Sequence, residues 1–355
     1  TEIYTLSLHD ALPIYQLLRQ RRVFARSRVI CASGHKNKML LKYILNRLLM
    51  LIPTLLLVSV FVFLLLHLIP GDPIDYIMAS DDSIDASMRE VLEKEMGLDK
   101  PLHLQYLGWM GDILRGDFGE SIHYQQSNIK IILERFPPTI LLTLGATLVS
   151  VLIAIPAGVL AAIKRNTVAD YSAMSFALLG MSIPNFWLGI MLILTFALFF
   201  PILPASGYVF SWSDPLKTLW YLVLPSVTLG TGMAAIVARM TRSEMLEELG
   251  KEYVRTARAK GVPERTVIFK HTLRNALNPV ITVIGIQFGN LLGGTVVVEY
   301  VFAYPGVGSL VVDAVYSRDY PLVQALILIF ALIFVGVNFI VDILYKYSNP
   351  RITLE

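Results

Sequence analysis

Six stretches of the chain are apolar over the length that a membrane-spanning helix requires. A helix that crosses the hydrocarbon core of a bilayer, roughly 30 Å thick, needs about 20 apolar residues. No Asp, Glu, Lys or Arg interrupts any of the six. They are Leu48–Ile69, Thr139–Ile163, Ser172–Leu203, Thr218–Ala238, Ala276–Val298 and Pro321–Val341. The pattern predicts an all-α polytopic membrane protein with six transmembrane helices.

The third stretch, Ser172–Leu203, is longer than one crossing and shorter than two. We predict that it forms one helix that begins early or ends in an apolar outer loop around Pro201 and Pro204. Composition agrees with a membrane protein, because 55% of the residues are hydrophobic and only 16% are charged. Soluble domains carry about 25% charged residues.

Basic side chains gather beside alternate spans. The links before span one, between spans two and three, and between spans four and five carry Lys and Arg, and residues 239–275 alone hold nine. Residues 70–138 hold 13 acids and six bases, and residues 299–320 hold a single base, Arg318. Since Lys and Arg accumulate in cytoplasmic loops, we predict that both termini are cytoplasmic.

The two long hydrophilic segments receive different predictions. Residues 70–138 are expected to form an extracytoplasmic domain, with a helix over Asp85–Met96 and a compact loop over Gly111–Ser121. The acids there lack the spacing of an EF-hand loop, so we predict no metal site. The chain has one cysteine, which excludes an internal disulfide framework.

The cytoplasmic link 239–275 predicts two helices. Leu246, Leu249, Tyr253 and Ala257 recur at helical spacing, and Gly261 with a following proline is a typical helix end. A second helix is expected over 264–277, leading into span five. Mixed acids and bases on the first helix favour docking to a protein, although a helix on the membrane surface stays open.

Span five carries glycines one turn apart and two polar side chains. Gly285, Gly289 and Gly293 would permit close approach of another backbone, from this subunit, from a second subunit, or at a pathway. Gln287 and Asn290 need a polar partner or water, and we group them, with Trp187, as candidates for the pathway or subunit interface. Glu299, at the end of the span, is expected to be interfacial rather than buried.

The chain offers no recognisable catalytic group. It has no G-x-x-x-x-G-K-[ST] phosphate loop and no H-E-x-x-H zinc pair. Its spans contain none of the acids or bases that ion-coupled pumps use. A transporter of this kind is either passive or driven by a partner, and the docking helix favours a partner. A passive channel, a secondary transporter or a docking scaffold remains an alternative.

One segment of the cytoplasmic link carries a family resemblance. It resembles the coupling motif E-A-A-x3-G of inner-membrane permeases of ABC importers, in the dipeptide/oligopeptide/nickel family, with Arg255-Thr256-Ala257 in place of E-A-A. Further motifs of that family recur in order at residues 70–73, 116–121, 182–187, 273–277 and 299–308, and 349–351 reads Asn-Pro-Arg where Asp-Pro-Arg is usual. The matching segment is Glu252, Tyr253, Val254, Arg255, Thr256, Ala257, Arg258, Ala259, Lys260 and Gly261.

The resemblance implies a type I ABC importer permease in a prokaryotic inner membrane. Residues 39–69 would be the first span, 139–350 the core permease domain, and Glu252–Gly261 the helix that docks on an ATPase. The implied partners are a second homologous permease, two ATPase subunits that bind ATP and Mg²⁺, an external substrate-binding protein and membrane lipid. We expect no enzyme activity, bound cofactor or nucleic-acid partner in this chain. Short peptides are the first expected substrate, with nickel chelates or glutathione-like molecules next.

The first 38 residues fall outside that resemblance. They hold seven bases and two acids, and residues 1–14 resemble translated sequencing-adaptor read-through. We predict a non-native or disordered basic leader, and a genuine cytoplasmic tail on anionic lipid is the alternative.

Overall fold

The computed structural model describes residues 49–64, 99–211 and 213–348. The predicted leader, the end of span one and the predicted helix Asp85–Met96 lie outside them. Residues 1–54 and 55–355 form two units, and every contact reported below lies within the second. The helices are α1 Leu49–Leu64, α2 Leu102–Leu114, α3 Asn128–Ile163, α4 Val168–Ser182, α5 Asn185–Ile193, α6 Pro215–Leu249, α7 Glu252–Ala259, α8 Leu273–Gly294, α9 Val296–Val301, α10 Val307–Tyr316 and α11 Tyr320–Ser348.

Two π-helical segments extend this set. Leu194–Phe199 continues α5, and Val267–Thr272 joins the single turn Glu264–Thr266 to the start of α8. The second helix predicted for the cytoplasmic link therefore leads into span five as expected, with a locally wider winding. The described residues contain no β-strand and only one isolated bridge, between Glu120 and Ser127.

Four helices in the described part of the chain are long and apolar enough to cross a membrane: α3, α6, α8 and α11. A fifth span results if α4 and α5 form one broken crossing. The described part of α1 is apolar but shorter than a crossing. The all-α polytopic class is thus confirmed, whereas the count of six spans stays a prediction.

The third predicted span is broken rather than continuous. The axes of α4 and of α5 with its π-helical extension differ by 99°. Ile183, before the break, is extended (φ −82°, ψ 124°), as expected for a residue whose α conformation is disfavoured by a following proline. Pro184 has no N–H to continue the helix. The single helix predicted for Ser172–Leu203 is therefore wrong.

The centre of the bundle is the contact between α3 and α6. A Cβ atom on Gly230 would lie 2.7 Å from the carbonyl oxygen of Ala146, and one on Gly158 would lie 2.7 Å from that of Ala238. Both distances are shorter than real Cβ contacts, so only glycine lets the two backbones approach this closely. Apolar side chains such as Leu142 and Leu229 fill the space around this contact and are fully buried.

The segment between α2 and α3 is tied to the start of α11. Asp319 is fully buried and accepts hydrogen bonds from the Ser121 hydroxyl, from His123 N (3.1 Å) and from Leu322 N (3.2 Å). The predicted compact loop over Gly111–Ser121 is half right, because α2 continues to Leu114 before the chain turns. Asp319 therefore fixes a hydrophilic segment to a spanning helix.

Candidate functional site

The predicted coupling segment, Glu252–Gly261, forms a separate short helix. α6 continues to Leu249, and the chain breaks at Gly250 and at Lys251, which is extended (φ −73°, ψ 150°). The single helix predicted through Leu246, Leu249, Tyr253 and Ala257 is wrong. Glycine is a poor helix former. Gly250, in the middle of the periodic pattern, was the signal that the pattern covers the end of α6 and a separate helix, α7.

The N-terminal end of α7 is held by Glu248, near the C-terminal end of α6. Glu248 is 8% exposed and accepts from the Lys251 ammonium and from the Tyr253 hydroxyl. Asn275, on α8, donates to the same hydroxyl at 3.1 Å. Burial raises the pKa of Tyr253, and its bond to Glu248 adds to that shift. Tyr253 therefore stays a neutral donor that links α6, α7 and α8.

The C-terminal end of α7 is held by an ion pair that bridges the following turn. Gly261 has φ +74°, a left-handed conformation that glycine adopts without strain, so the predicted end of the helix is confirmed. Across this turn, Arg258 Nη2 donates to Glu264 Oε1 at 2.6 Å, and Arg258 Nε donates to Glu264 Oε2 at 3.1 Å. This bond raises the pKa of Arg258. Because both partners are well exposed, the pair orients the turn and adds little stability.

Between its two ends, α7 presents nearly all of its surface to solvent. Val254 is fully buried and Ala257 is half-buried. The exposed members are Glu252, Tyr253, Arg255, Thr256, Arg258, Ala259, Lys260 and Gly261. Within the described part of the chain, the one side-chain hydrogen bond of Arg255 is to Glu252, at 2.8 Å on the same helix. A short helix fixed at two ends with one buried side chain is suited to contact another protein without unfolding.

The glycines of span five divide into two roles. A Cβ on Gly285 would lie 3.0 Å from Val341, and one on Gly289 would lie 2.9 Å from Val337. Both glycines therefore face α11 of the same chain. A Cβ on Gly293 would have no atom of the described residues within 4 Å, so these residues leave that position open. Close packing within the subunit accounts for the first two.

The two polar candidates of span five bond to each other. Asn290 Nδ2 donates to Gln287 Oε1 at 3.1 Å, and Asn290 is exposed. Trp187, on α5, is 47% exposed. The structure gives no contact between Trp187 and this pair. Two bonded amides on the exposed face of a spanning helix still have unused donors and acceptors, which lipid tails cannot satisfy.

An ion pair that the sequence patterns did not indicate, between a buried carboxylate and a half-buried arginine, joins α4 to α6. Asp170 is 2% exposed and accepts from Arg242 Nε at 2.6 Å and from Nη2 at 2.7 Å. The backbone N–H of Asn166 donates to Asp170 at 3.0 Å. The two charges lie 72 positions apart, outside the apolar stretches, and no periodicity connects them.

The expectation that Glu299 is interfacial is wrong, because its side chain is fully buried. Its carboxyl group accepts from the Thr139 hydroxyl (2.8 Å), the Thr295 hydroxyl (3.0 Å) and the backbone N–H of Ser309 (2.9 Å). Thr139 also accepts from Val307 N at 2.8 Å. We call these five residues the Glu299 network. It joins α3 and α9 to the first turn of α10.

Glycines make room for this network. A Cβ on Gly306 would lie 2.3 Å from the Glu299 carboxyl, and one on Gly308 would lie 2.7 Å from Val296 Cα. The spacing of Glu299, Gly306 and Gly308 belongs to a motif noted above only for its resemblance. The pattern did not indicate that the loop around Gly306 encloses the Glu299 side chain.

Comparison with known proteins identifies the family. Residues 154–354 match the model of the binding-protein-dependent transport system inner membrane component, and residues 40–143 match that of the N-terminal membrane component of such systems. The glutathione transport system permease protein GsiC of Salmonella choleraesuis (strain SC-B67) is 45% identical over 313 residues, 88% of this chain and 99% of its own length. The GsiC protein of Escherichia coli (strain K12) is 44% identical over the same extent.

A solved structure agrees in fold. The MetNI methionine ABC transporter in an inward-facing conformation matches with a TM-score of 0.51 and 18% identity, over 62% of this chain and 97% of the matched chain. The family model alone covers more than half of the sequence. The chain belongs to the family of binding-protein-dependent transport system inner membrane components, as an ABC importer permease of the peptide/nickel group.

Proposed function

We propose that this permease forms one half of the translocation pathway of an importer for short peptides. The observation that carries the proposal is the match to curated permeases over 99% of their own length. Family membership decides against the passive channel and the scaffold. A permease of this family is not itself an enzyme and works with an ATPase and a substrate-binding protein. We propose that the complete importer contains, besides this chain, a second homologous permease and two ATPase subunits that bind ATP and Mg²⁺.

We propose further that Glu252–Gly261 is the helix that docks on an ATPase subunit. Two properties support this assignment: its exposed basic face, and its attachment to both α6 and α8. A push on α7 would reach two helices of the bundle at once. The basic links, this segment included, would then be cytoplasmic, which agrees with the positive-inside pattern.

Reversing one exposed charge tests the docking role. We expect Arg255→Glu to lower ATP-driven uptake at least tenfold in proteoliposomes that contain the complete importer and its binding protein. Among the described residues, Arg255 has a side-chain bond to Glu252 alone. The variant therefore breaks no contact between helices, and the new like-charge pair on α7 costs only about 0.2–0.5 kcal/mol. The measurements are substrate uptake and copurification of the ATPase.

The matched control is Arg265→Glu, an exposed arginine just beyond the turn that follows α7. We expect this control to retain uptake within about twofold. If Arg255→Glu copurifies with the ATPase and transports like Arg265→Glu, the docking role of this face is refuted.

The pathway is proposed to run beside Gln287, Asn290 and Trp187. Gln287 and Asn290 place amide groups on α8 where the described residues leave Gln287 half-exposed and Asn290 exposed, and peptide bonds have matching donors and acceptors. The two glycines that face α11 are better explained by packing. Gly293, where an added Cβ would meet none of the described residues, remains in the proposed pathway or subunit interface.

Glutathione is the second candidate substrate. The curated relatives at 44–45% identity are named glutathione permeases, and glutathione is itself a tripeptide. Uptake of a labelled tripeptide through the cognate binding protein, with glutathione, other peptides and a nickel chelate as competitors, separates the candidates. Competition by peptides in general supports the first proposal, and competition by glutathione alone replaces it with the second.

A further inference from the structure

A groove between α4 and α6 combines apolar walls with an unbalanced positive charge. Its walls are Met174, Ala177, Leu178 and Met181 on α4, and Ala235 on α6. The four α4 residues recur at helical spacing and so share one face. Arg239 and Arg242 complete the lining. We call this feature the α4–α6 groove.

The two arginines are not equivalent. Arg242 gives two of its five N–H donors to Asp170, which leaves three donors for other partners. Arg239 is exposed and has no ion pair or hydrogen bond within the described residues. Asp170 balances one of the two charges, so the groove keeps one net positive charge at this end. Lys164 and Arg165, in the link between α3 and α4, add charge of the same sign.

We propose that the α4–α6 groove binds an anionic phospholipid. The acyl chain would lie against the Met, Ala and Leu side chains, and the phosphate would accept from Arg239 and from the free donors of Arg242. Basic pockets between spanning helices are the recognised form of such sites. The chemistry of the groove indicates the occupant: an apolar groove between membrane helices that ends in cationic donors matches an amphiphile with a negative head group.

The ion pair of Asp170 with Arg242 orients one of the cationic donors of this site. Asp170 fixes the Arg242 guanidinium by two parallel bonds, a geometry that holds the plane of the guanidinium. Its unused donors therefore keep one direction without further ordering. Arg239 is free to turn toward the head group, because nothing in the described structure holds it.

Native mass spectrometry of the purified complete importer tests the proposal, with phosphatidylglycerol and phosphatidylcholine as the added probes. We expect wild type to retain phosphatidylglycerol preferentially. Arg239→Gln should weaken that retention about fivefold, the effect of one cationic contact to an anionic lipid. Arg274→Gln is the matched control, since Arg274 is exposed at the start of α8 and outside the groove.

A second pair of variants tests the apolar part. Ala177→Trp fills the groove and should abolish retention of the lipid, whereas Leu179→Trp, on an exposed position outside the lining, should not. Equal retention of the two lipids by wild type, or equal loss in Arg239→Gln and Arg274→Gln, would overturn the proposal. A cross-link from Ala177→Cys to the second permease would overturn it as well, because a subunit interface would then occupy the groove.

Discussion

Glu299→Leu is expected to lower the free energy of unfolding by about 3 kcal/mol, because it leaves three buried donors without their acceptor. An unpaired buried donor costs about 1–3 kcal/mol. The hydroxyls of Thr139 and Thr295 can turn to other acceptors, but the backbone N–H of Ser309 cannot. Unfolding of the purified permease, titrated with a denaturing detergent, measures the change.

Two further variants make this result specific to the Glu299 network. Glu134→Leu replaces an exposed acid on α3 and should change stability by less than about 0.5 kcal/mol. Glu299→Gln keeps an acceptor oxygen and should fall between the two. Equal stability of Glu299→Leu and Glu134→Leu would show that the network does not hold α10 in place.

Gly230→Ala should destabilise the permease by about 2 kcal/mol, although alanine is the better helix former. The new Cβ would lie 2.7 Å from the carbonyl oxygen of Ala146 and 3.0 Å from Val149. The first of these atoms is backbone, so α3 and α6 must move apart, and overpacking of this kind costs about 1–3 kcal/mol. The same detergent titration measures the effect.

Gly232→Ala, two residues along the same helix, should have the opposite sign. Among the described residues, the nearest atom to its Cβ would be Asn185 Oδ1, at 3.5 Å. With no clash, the gain in helix propensity of up to about 1 kcal/mol remains. If both variants destabilise equally, the loss arises from the properties of the glycines themselves and not from the close contact of α3 with α6.

The sequence predicted those elements whose physics is local. An apolar run without charge must lie in lipid or in a core, so the positions of α3, α6, α8 and α11 could be foreseen. Helix ends were foreseen where one residue decides, as at Gly261. The break at Pro184 was equally local, but the apolar run on both sides hid it.

Contacts that join distant parts of the chain could not be predicted in the same way. Asp170 and Arg242 are each ordinary charges beside a span, and only the fold brings them to 2.6 Å. Glu299 followed an apolar helix, where an acid is expected to reach water. Its burial depends on donors from Thr139 and Ser309, which belong to other helices. Whether a polar group is buried depends on the partners that the fold brings to it, and a single sequence does not reveal those partners.

The attachment of α7 to the end of α6 has a mechanical consequence. α6 has 35 residues and is continuous, so it is about 50 Å long at 1.5 Å per residue, longer than the hydrocarbon core. A displacement applied at Glu248 is therefore carried through the membrane by a single rod. Pro225, inside this helix, has no N–H to donate to the preceding turn. Gly145 packs against Leu222 on one side of this proline, and Gly158 and Gly230 pack against α6 or α3 on the other, so α6 and α3 must move together.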